Sequence, residues 1–434
     1  MKKKLPLEGV RVVAMTVVFS GPFSAMLLAD LGAEVIRLET IHHHANVTRG
    51  IIARPPQEMY TNNYDGGYWQ YPDRTVGEYP YNRCTLFNVN GRNKHAVTLD
   101  LSREKGIEIF KDLMKITDIF IENNSPEVLD KFGINYEMMC DANPEIIMIS
   151  APGYGLSGPY RDWRGYGNNV EGVLSHTWQS QYSSDDLSTR TPSLVMDSTG
   201  GCGMTMAAMM ALHHREKTGR GQFVDLAQGQ TLMPCLGEGF MDYSMNGRVQ
   251  TAMGNRHPVA VQGCYECKGD DNWIAISISN DGEWEGFCRA LGNPDWTIDK
   301  KFTDSLSRRE HHDDLDENIT NWTSTQDKFV VMKRLQEEGV PAGPLLSEKD
   351  AYNDPHLKDR EFFVEITQKW TGTHNYPGFP WKTSRTPQEV RLPPPGLGEH
   401  NEYVFKELLN ISDEEYAELE KEKYIGTEYL PDVM

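Results

Sequence analysis

The sequence predicts an α/β fold, a doubly wound parallel sheet (Rossmann-like) in a large domain, joined to a small α+β domain. Three observations carry this. EGVRVVAMTVV (8–18), SGPFSAMLLADLG and AEVIRLE (33–39) read as strand, helix and strand, and the strands are continuous apolar runs rich in β-branched residues, as in sheets covered on both faces. A right-handed crossover between two such strands predicts the doubly wound arrangement. The same alternation resumes beyond residue 90, whereas GCYECKGDDNWIAISISN (263–280) alternates around Gly269-Asp270-Asp271 like an antiparallel hairpin.

Taken in order, Ser20 is expected to cap the first helix, Pro22 suits its first turn and Gly32 ends it. Glu39 closes the second strand where a dinucleotide-binding domain would hold a ribose, but VVFSGPFSAM has one glycine where G-x-G-x-x-G needs three. Residues 40–90 are irregular, and NNYDGGYWQYPDRTVGEYPYNRC is too aromatic for a disordered linker. HAVTLDL, TDIFIENN and PEIIMISAPGYG are the next strands, separated by a helix in SREKGIEIFKDLMKI capped by Ser102 and a short helix in SPEVLDKFG. A helix from Asp197 runs to about Thr218 and stops at TGRG; QFVDLAQGQTLMPCLGEGFMDYSMNG then reads as a strand and a second helix. DGEWEGFCRALG through QDKFVVMKRLQEEG forms the α+β module, VPAGPLLSEKDAYNDPHL returns to short strand and turn signals, and DEEYAELEKEK is a charged final helix. The predicted division is 1–222 for the N-terminal part of the large domain, 223–250 for a linker helix, 251–338 for the small domain, and 339–434 for a return linker and the rest of the large domain.

Composition narrows the function. A chain of 434 residues with 38 % apolar side chains can bury a large core, and a formal charge of −20 repels nucleic acid and anionic membranes. MKKKLPLEGVRVVAM is broken by Pro6, Glu8 and Arg11 and is no signal peptide, and no window approaches the roughly 20 apolar residues of a membrane span. The cytoplasm is therefore expected. Seven cysteines at wide spacings predict reduced thiols. Cys264 and Cys267 have C-x-x-C spacing without a second ligand pair, and His42-His43-His44 reads as a polar loop, so no metal is expected.

One carboxylate stands out. In VMDSTGGCGMTMAAMM (195–210), Asp197 precedes a run of Ser, Thr, Gly, Ala and Met. Aspartate is a common N-cap, and free N–H groups with the helix dipole would keep it ionised and nucleophilic. Ser198, Thr199, Gly200 and Gly201 are small enough to admit a bulky thioester.

The blocks SGPFSAMLLADLGAEVIRLE, NGRNKHAVTLDL, IENNSPEVLDKFG, ISAPGYGLSGP, MDSTGG with HHREKTGRGQFVDLAQ, GVPAGPLLSEKDAYNDPHL and GLGEH occur in the order found in the class III coenzyme A transferases, and the chain resembles that family along its length. The resemblance implies Asp197 as nucleophile, passing through an aspartyl mixed anhydride and an aspartyl-CoA thioester, with coenzyme A thioester and carboxylic acid as substrates and no permanently bound cofactor. It places Asn123, Asn124, Lys131 and Tyr154 along the coenzyme. It also implies an interlocked homodimer, or pairing with a paralogous subunit.

The chain departs from the family pattern in places. Val17 and Phe19 stand where formyl-CoA transferase has histidine and glutamine, which argues against small polar acids. Thr40 and Ile41 occupy the area of its coenzyme-binding arginine, with Arg49 or Arg92 as stand-ins, and GNRHPVAVQG (254–263) lacks the glycine-rich lid. Tyr64, Tyr68, Trp69, Tyr71, Tyr79 and Tyr81 suit a bulky or aromatic acceptor, and equally a dimer surface. α-Methylacyl-CoA racemase resembles the same N-terminal blocks, but Tyr166 stands at its catalytic histidine, and tyrosine, with pKa about 10, is a poor base at neutral pH.

Overall fold

The computed structural model describes residues 5–45, 47–61, 71–182, 188 and 193–434. The chain divides into two compact units: Met1–His176 with Pro192–Met241 and Glu361–Met434, and Thr177–Thr191 with Asp242–Arg360. Among the described residues no helix is long and apolar enough to cross a membrane.

The first unit is built on β1 (Arg11–Met15), α1 (Ser20–Asp30), β2 (Glu34–Glu39), β3 (Lys94–Thr98), α2 (Glu104–Lys115), β4 (Ile119–Glu122), α3 (Pro126–Phe132), α4 (Tyr136–Ala142), β5 (Ile147–Ser150), α5 (Gly167–Val173), α6 (Val195–Thr218), β6 (Phe223–Asp225) and α7 (Gln228–Leu232). Its six strands lie in the order β3-β2-β1-β4-β5-β6, all parallel. That is the doubly wound order the sequence predicts. Alternation along β1 shows why both strand faces are apolar. Val12 and Ala14 pack with Ala25 and Leu28 of α1 and Met204, Ala208 and Ala211 of α6, while Val13 packs on the other face with Phe110, Leu113 and Met114 of α2.

Helix starts differ from expectation. Phe19 takes the cap position of α1, so Ser20 lies inside the first turn with its hydroxyl buried. Ser102 gives both its N–H and its hydroxyl to Asp100, and α2 begins after it. α4, capped by Asn135, was not signalled in the sequence.

Residues beyond 361 complete this unit. An antiparallel hairpin, Phe363–Gln368 with Gly372–Pro377, precedes a return to β3, where Asn401 Oδ1 accepts the N–H of Thr98 at 2.9 Å. Arg54 donates to the carbonyls of Tyr429, Leu430 and Val433 at 2.6, 3.0 and 2.8 Å.

In the second unit, β7 (Val261–Glu266) and β8 (Trp273–Ile278) form the expected antiparallel hairpin, and β9 (Ala342–Pro344) adds to β8. One face of this sheet carries Val261, Tyr265, Ile274, Ile276 and Ile278 against Phe287, Leu315, Ile319, Val331 and Leu335 from three helices. Cys264 lies on β7 and Cys267 just beyond it, both as free thiols.

Candidate active site

In a sheet of this order the crevice opens at the carboxyl ends of β1 and β4, where the connections diverge to opposite faces. There Asn123 Oδ1 accepts the N–H of Val17 at 2.8 Å while its Nδ2 donates to the Val17 carbonyl at 3.0 Å. The next residue, Val18, has φ of 62°, a strained conformation for a β-branched side chain, and its N–H is held by Thr48 Oγ1 at 2.8 Å. These clamps replace the missing glycines of the β1–α1 turn. Asn124 is likewise engaged, donating to the Met15 carbonyl at 2.9 Å and to Glu122. Burial raises Glu122 to about 7 despite its bonds to Ser150 and Asn124. Both asparagines therefore hold the backbone of the β1–α1 turn.

The turn they hold leads into α1, which lies against α6. A Cβ at Gly201 would meet Phe23 at 2.7 Å and the Ser20 carbonyl at 2.8 Å; at Gly200 it would meet Ser20 Oγ at 2.9 Å and Gln228 Oε1 at 3.2 Å. The glycines after Asp197 thus admit α1 and α7 rather than a thioester, which corrects the expectation from their small size. Gln228, buried, ties α7 to the Ala151 carbonyl at the end of β5.

Asp197 rides on the first turn of α6. It is not the cap: Leu194 enters the helix with φ of 57°, the helix begins at Val195, and Asp197 stands three residues in. Among the described residues no donor reaches its carboxylate. The anion of the helix start is Glu171 of α5, fully buried, whose Oε1 accepts the N–H of Met196 at 3.0 Å and whose Oε2 accepts that of Ser193 at 3.1 Å. His176 Nδ1 lies 3.4 Å from Glu171 Oε2. Asp197 itself lies against Gly167, where a Cβ would stand 2.6 Å from its Oδ2. Burial first, and then the negative charge of Glu171, push Asp197 up to about 6. The amide of Met196, in the first turn, goes to Glu171 rather than to Asp197.

Tyr154 is half-buried beside this wall. Its ring meets Tyr160 at 6.0 Å and Trp163 at 6.1 Å, its hydroxyl lies 3.4 Å from where a Cβ at Gly165 would stand, and burial raises it. Lys131 is exposed in the last turn of α3, its ammonium 5.7 Å from the Phe132 ring. Arg49 and Arg92 are not free for phosphates. Arg49 makes a two-pronged pair with Glu39, both contacts 2.7 Å, and Arg92 is buried on Asp30 and on the carbonyls of Pro377 and Gly378. Of the aromatic loop, Tyr71 and Tyr81 are buried in small apolar clusters and Tyr79 is exposed, whereas Tyr64, Tyr68 and Trp69 lie outside the described residues. Sequence reasoning missed Glu171 and Gly167; their one signal was an acid within the otherwise neutral stretch GYGNNVEGV.

Comparison with known proteins follows the same lines. The family model described as CoA-transferase family III matches residues 7–401. A protein of Chloroflexus aurantiacus named succinyl-CoA–L-malate CoA-transferase beta subunit is 30 % identical, covering 97 % of this chain and 98 % of its own. A formyl-CoA:oxalate CoA-transferase of Rhodopseudomonas palustris is 30 % identical over 95 % of both. The crystal structure of a CAIB/BAIF family protein from Brucella suis superposes with a TM-score of 0.78 at 26 % identity, covering 94 % of this chain and 100 % of that one.

Proposed function

The chain belongs to CoA-transferase family III, and from that premise we propose that it moves coenzyme A from a donor thioester to an acceptor carboxylate through Asp197. The carrying observation is an unpartnered carboxylate on the first turn of α6, made more basic by burial and by Glu171 and bordered by a residue with no side chain. At neutral pH it is mostly ionised yet more basic than an ordinary aspartate, the combination a carboxylate nucleophile needs.

Asp197 attacks the donor thioester carbonyl, the C–S bond breaks, and an aspartyl anhydride and coenzyme A thiolate result. The thiolate attacks the aspartyl carbonyl, giving aspartyl-CoA and the donor carboxylate. The acceptor carboxylate then attacks aspartyl-CoA, and the released thiolate takes the acceptor acyl group, restoring Asp197. No net proton is consumed.

The coenzyme lies along the carboxyl ends of the strands, with Asn123 and Asn124 shaping its floor through the β1–α1 turn and Lys131 and Tyr154 bordering it. The bulky-acceptor reading loses the support of Tyr71 and Tyr81, which are spent on packing, and rests on the aromatic group at Tyr154, Tyr160 and Trp163. The racemase reading is weaker, since Tyr166 is exposed and keeps no base at the required place.

Asp197→Asn should leave the fold intact and reduce turnover to background. With wild-type protein and succinyl-CoA, hydroxylamine or borohydride should modify the peptide SLVMDSTGG, read by mass. Trapping at another carboxylate would reassign the nucleophile.

Assembly as an interlocked homodimer is supported by an exposed apolar stripe on α6, Met206, Met209 and Met210. The relative named as a beta subunit favours a second arrangement, a heteromer with a paralogous chain. Light scattering on the purified chain should give a dimer; a stable species of 49.3 kDa would exclude the interlocked form.

A further inference from the structure

Glu171 invites explanation because it is a fully buried carboxylate that stands next to the proposed nucleophile and, among the described residues, pairs with no arginine or lysine. Each oxygen instead takes one backbone N–H, from Ser193 and from Met196, which flank the left-handed Leu194 and the first helical residue, Val195. A strained helix entry persists only where its surroundings fix it, and these two bonds are what fix it. They set the direction in which the next residue, Asp197, leaves the backbone.

We propose that Glu171 is a positioning residue for Asp197: its two backbone hydrogen bonds fix the first turn of α6, and its charge makes Asp197 a stronger nucleophile. The inference rests on Asp197 being the nucleophile. A capping aspartate or asparagine at position 194 could take the Met196 amide, but it would leave Ser193 unserved and would not require α5 to be docked. With Glu171 in that role, the start of α6 and the Gly167 wall against Asp197 belong to one short helix, so α5 holds both sides of the nucleophile.

The titratable groups facing Glu171 are His176, 3.4 Å from Oε2, and Asp197. Among the described residues, the elements packed along this part of α6 present the uncharged Ser20 and Phe23 from α1 and Gln228 and Thr231 from α7.

The test compares wild type, Glu171→Gln and Asp197→Asn. The Asp197 carboxylate is titrated directly by infrared difference spectroscopy, with Asp197→Asn as the blank, and thermal midpoints are recorded alongside. Glutamine keeps an acceptor for one amide but removes the charge. The Asp197 midpoint should fall by about one pH unit, and the rate of adduct formation on Asp197 with succinyl-CoA should fall about three-fold or more at pH 8, well above the Asp197 midpoint of about 6, following the lower basicity of the nucleophile. An unchanged Asp197 midpoint in a folded Glu171→Gln variant, with only the thermal midpoint lowered, would overturn the inference and leave Glu171 a structural anchor. Glu171→Asp, which restores charge on a shorter stem, should recover the midpoint more than the thermal stability. Were wild type to form its adduct at a carboxylate other than Asp197, the nucleophile assignment would fail by itself, whatever the titration of Glu171→Gln showed.

Discussion

Two carboxylates in the same unit, Glu39 at the end of β2 and Asp197 at the start of α6, are treated in opposite ways. Glu39 is buried, which alone would raise it, yet Arg37 at 3.1 Å and Arg49 at 2.7 Å hold it down at about 2. Asp197 is less buried and has no cation; burial and Glu171 push it up to about 6. The Arg49 guanidinium, stacked 3.6 Å from the Phe87 ring centroid and bonded to Asn82, makes Glu39 a lock between β2 and the segment that follows it. The same functional group is inert where it is saturated and reactive where it is starved of partners. Perturbation alone does not mark a site; Glu122, raised further than Asp197, has its hydrogen-bond partners, whereas Asp197 has none among the described residues.

Substitutions can break the contrast. The largest effect should come from Asp197→Asn, with loss of transfer activity to background and no loss of fold. Next, Glu39→Gln leaves Arg37 and Arg49 buried against a neutral amide and should cost about 3–5 kcal/mol in chemical denaturation; a cost below about 1 kcal/mol would show that the lock is not structural. Gly167→Ala places a methyl carbon 2.6 Å from Asp197 Oδ2. It should lower kcat/KM about ten-fold or more while shifting stability by only about 1–2 kcal/mol. Equal activity would mean that the carboxylate swings freely.

The smallest effect is the most diagnostic. A carboxylate raised from an ordinary value near 3.9 to about 6 stabilises the fold fully below pH 4, and that contribution is lost as pH rises through 6. At pH 7–8 its charge is therefore a net cost, and Asp197→Asn should gain about 1 kcal/mol there and nothing at pH 4. Glu39, depressed to about 2, shows the reverse dependence: its contribution is present above pH 4 and is lost only as pH falls through 2. Denaturation curves at pH 4 and 8 separate the two.

How much of this was legible in sequence follows from how local each cause is. The sheet was legible because strands covered on both faces must be apolar at consecutive positions, as Val12 and Val13 are, and because the 263–280 hairpin carries its alternation and its turn together. Asp197 was singled out by its block, but its setting was misread. A leucine in left-handed conformation at 194 starts the helix earlier than any propensity suggests, and the true anion comes from α5. Arg92 could pass for a phosphate ligand because its carbonyl partners lie 285 and 286 residues further along. The clamping role of Asn123 was hidden for the same reason, since it lies 106 residues from the turn it clamps.

Distance along the chain also has a consequence in time. Arg54 finds its last carbonyl at Val433, 379 residues later, so at about 5–20 residues per second its partner is made on the order of 20–75 s after it. During that interval the ribosome has delivered the whole second unit, while the first still lacks the strand-side residues that cover β3. The first unit thus closes this tie only after the second unit has been made.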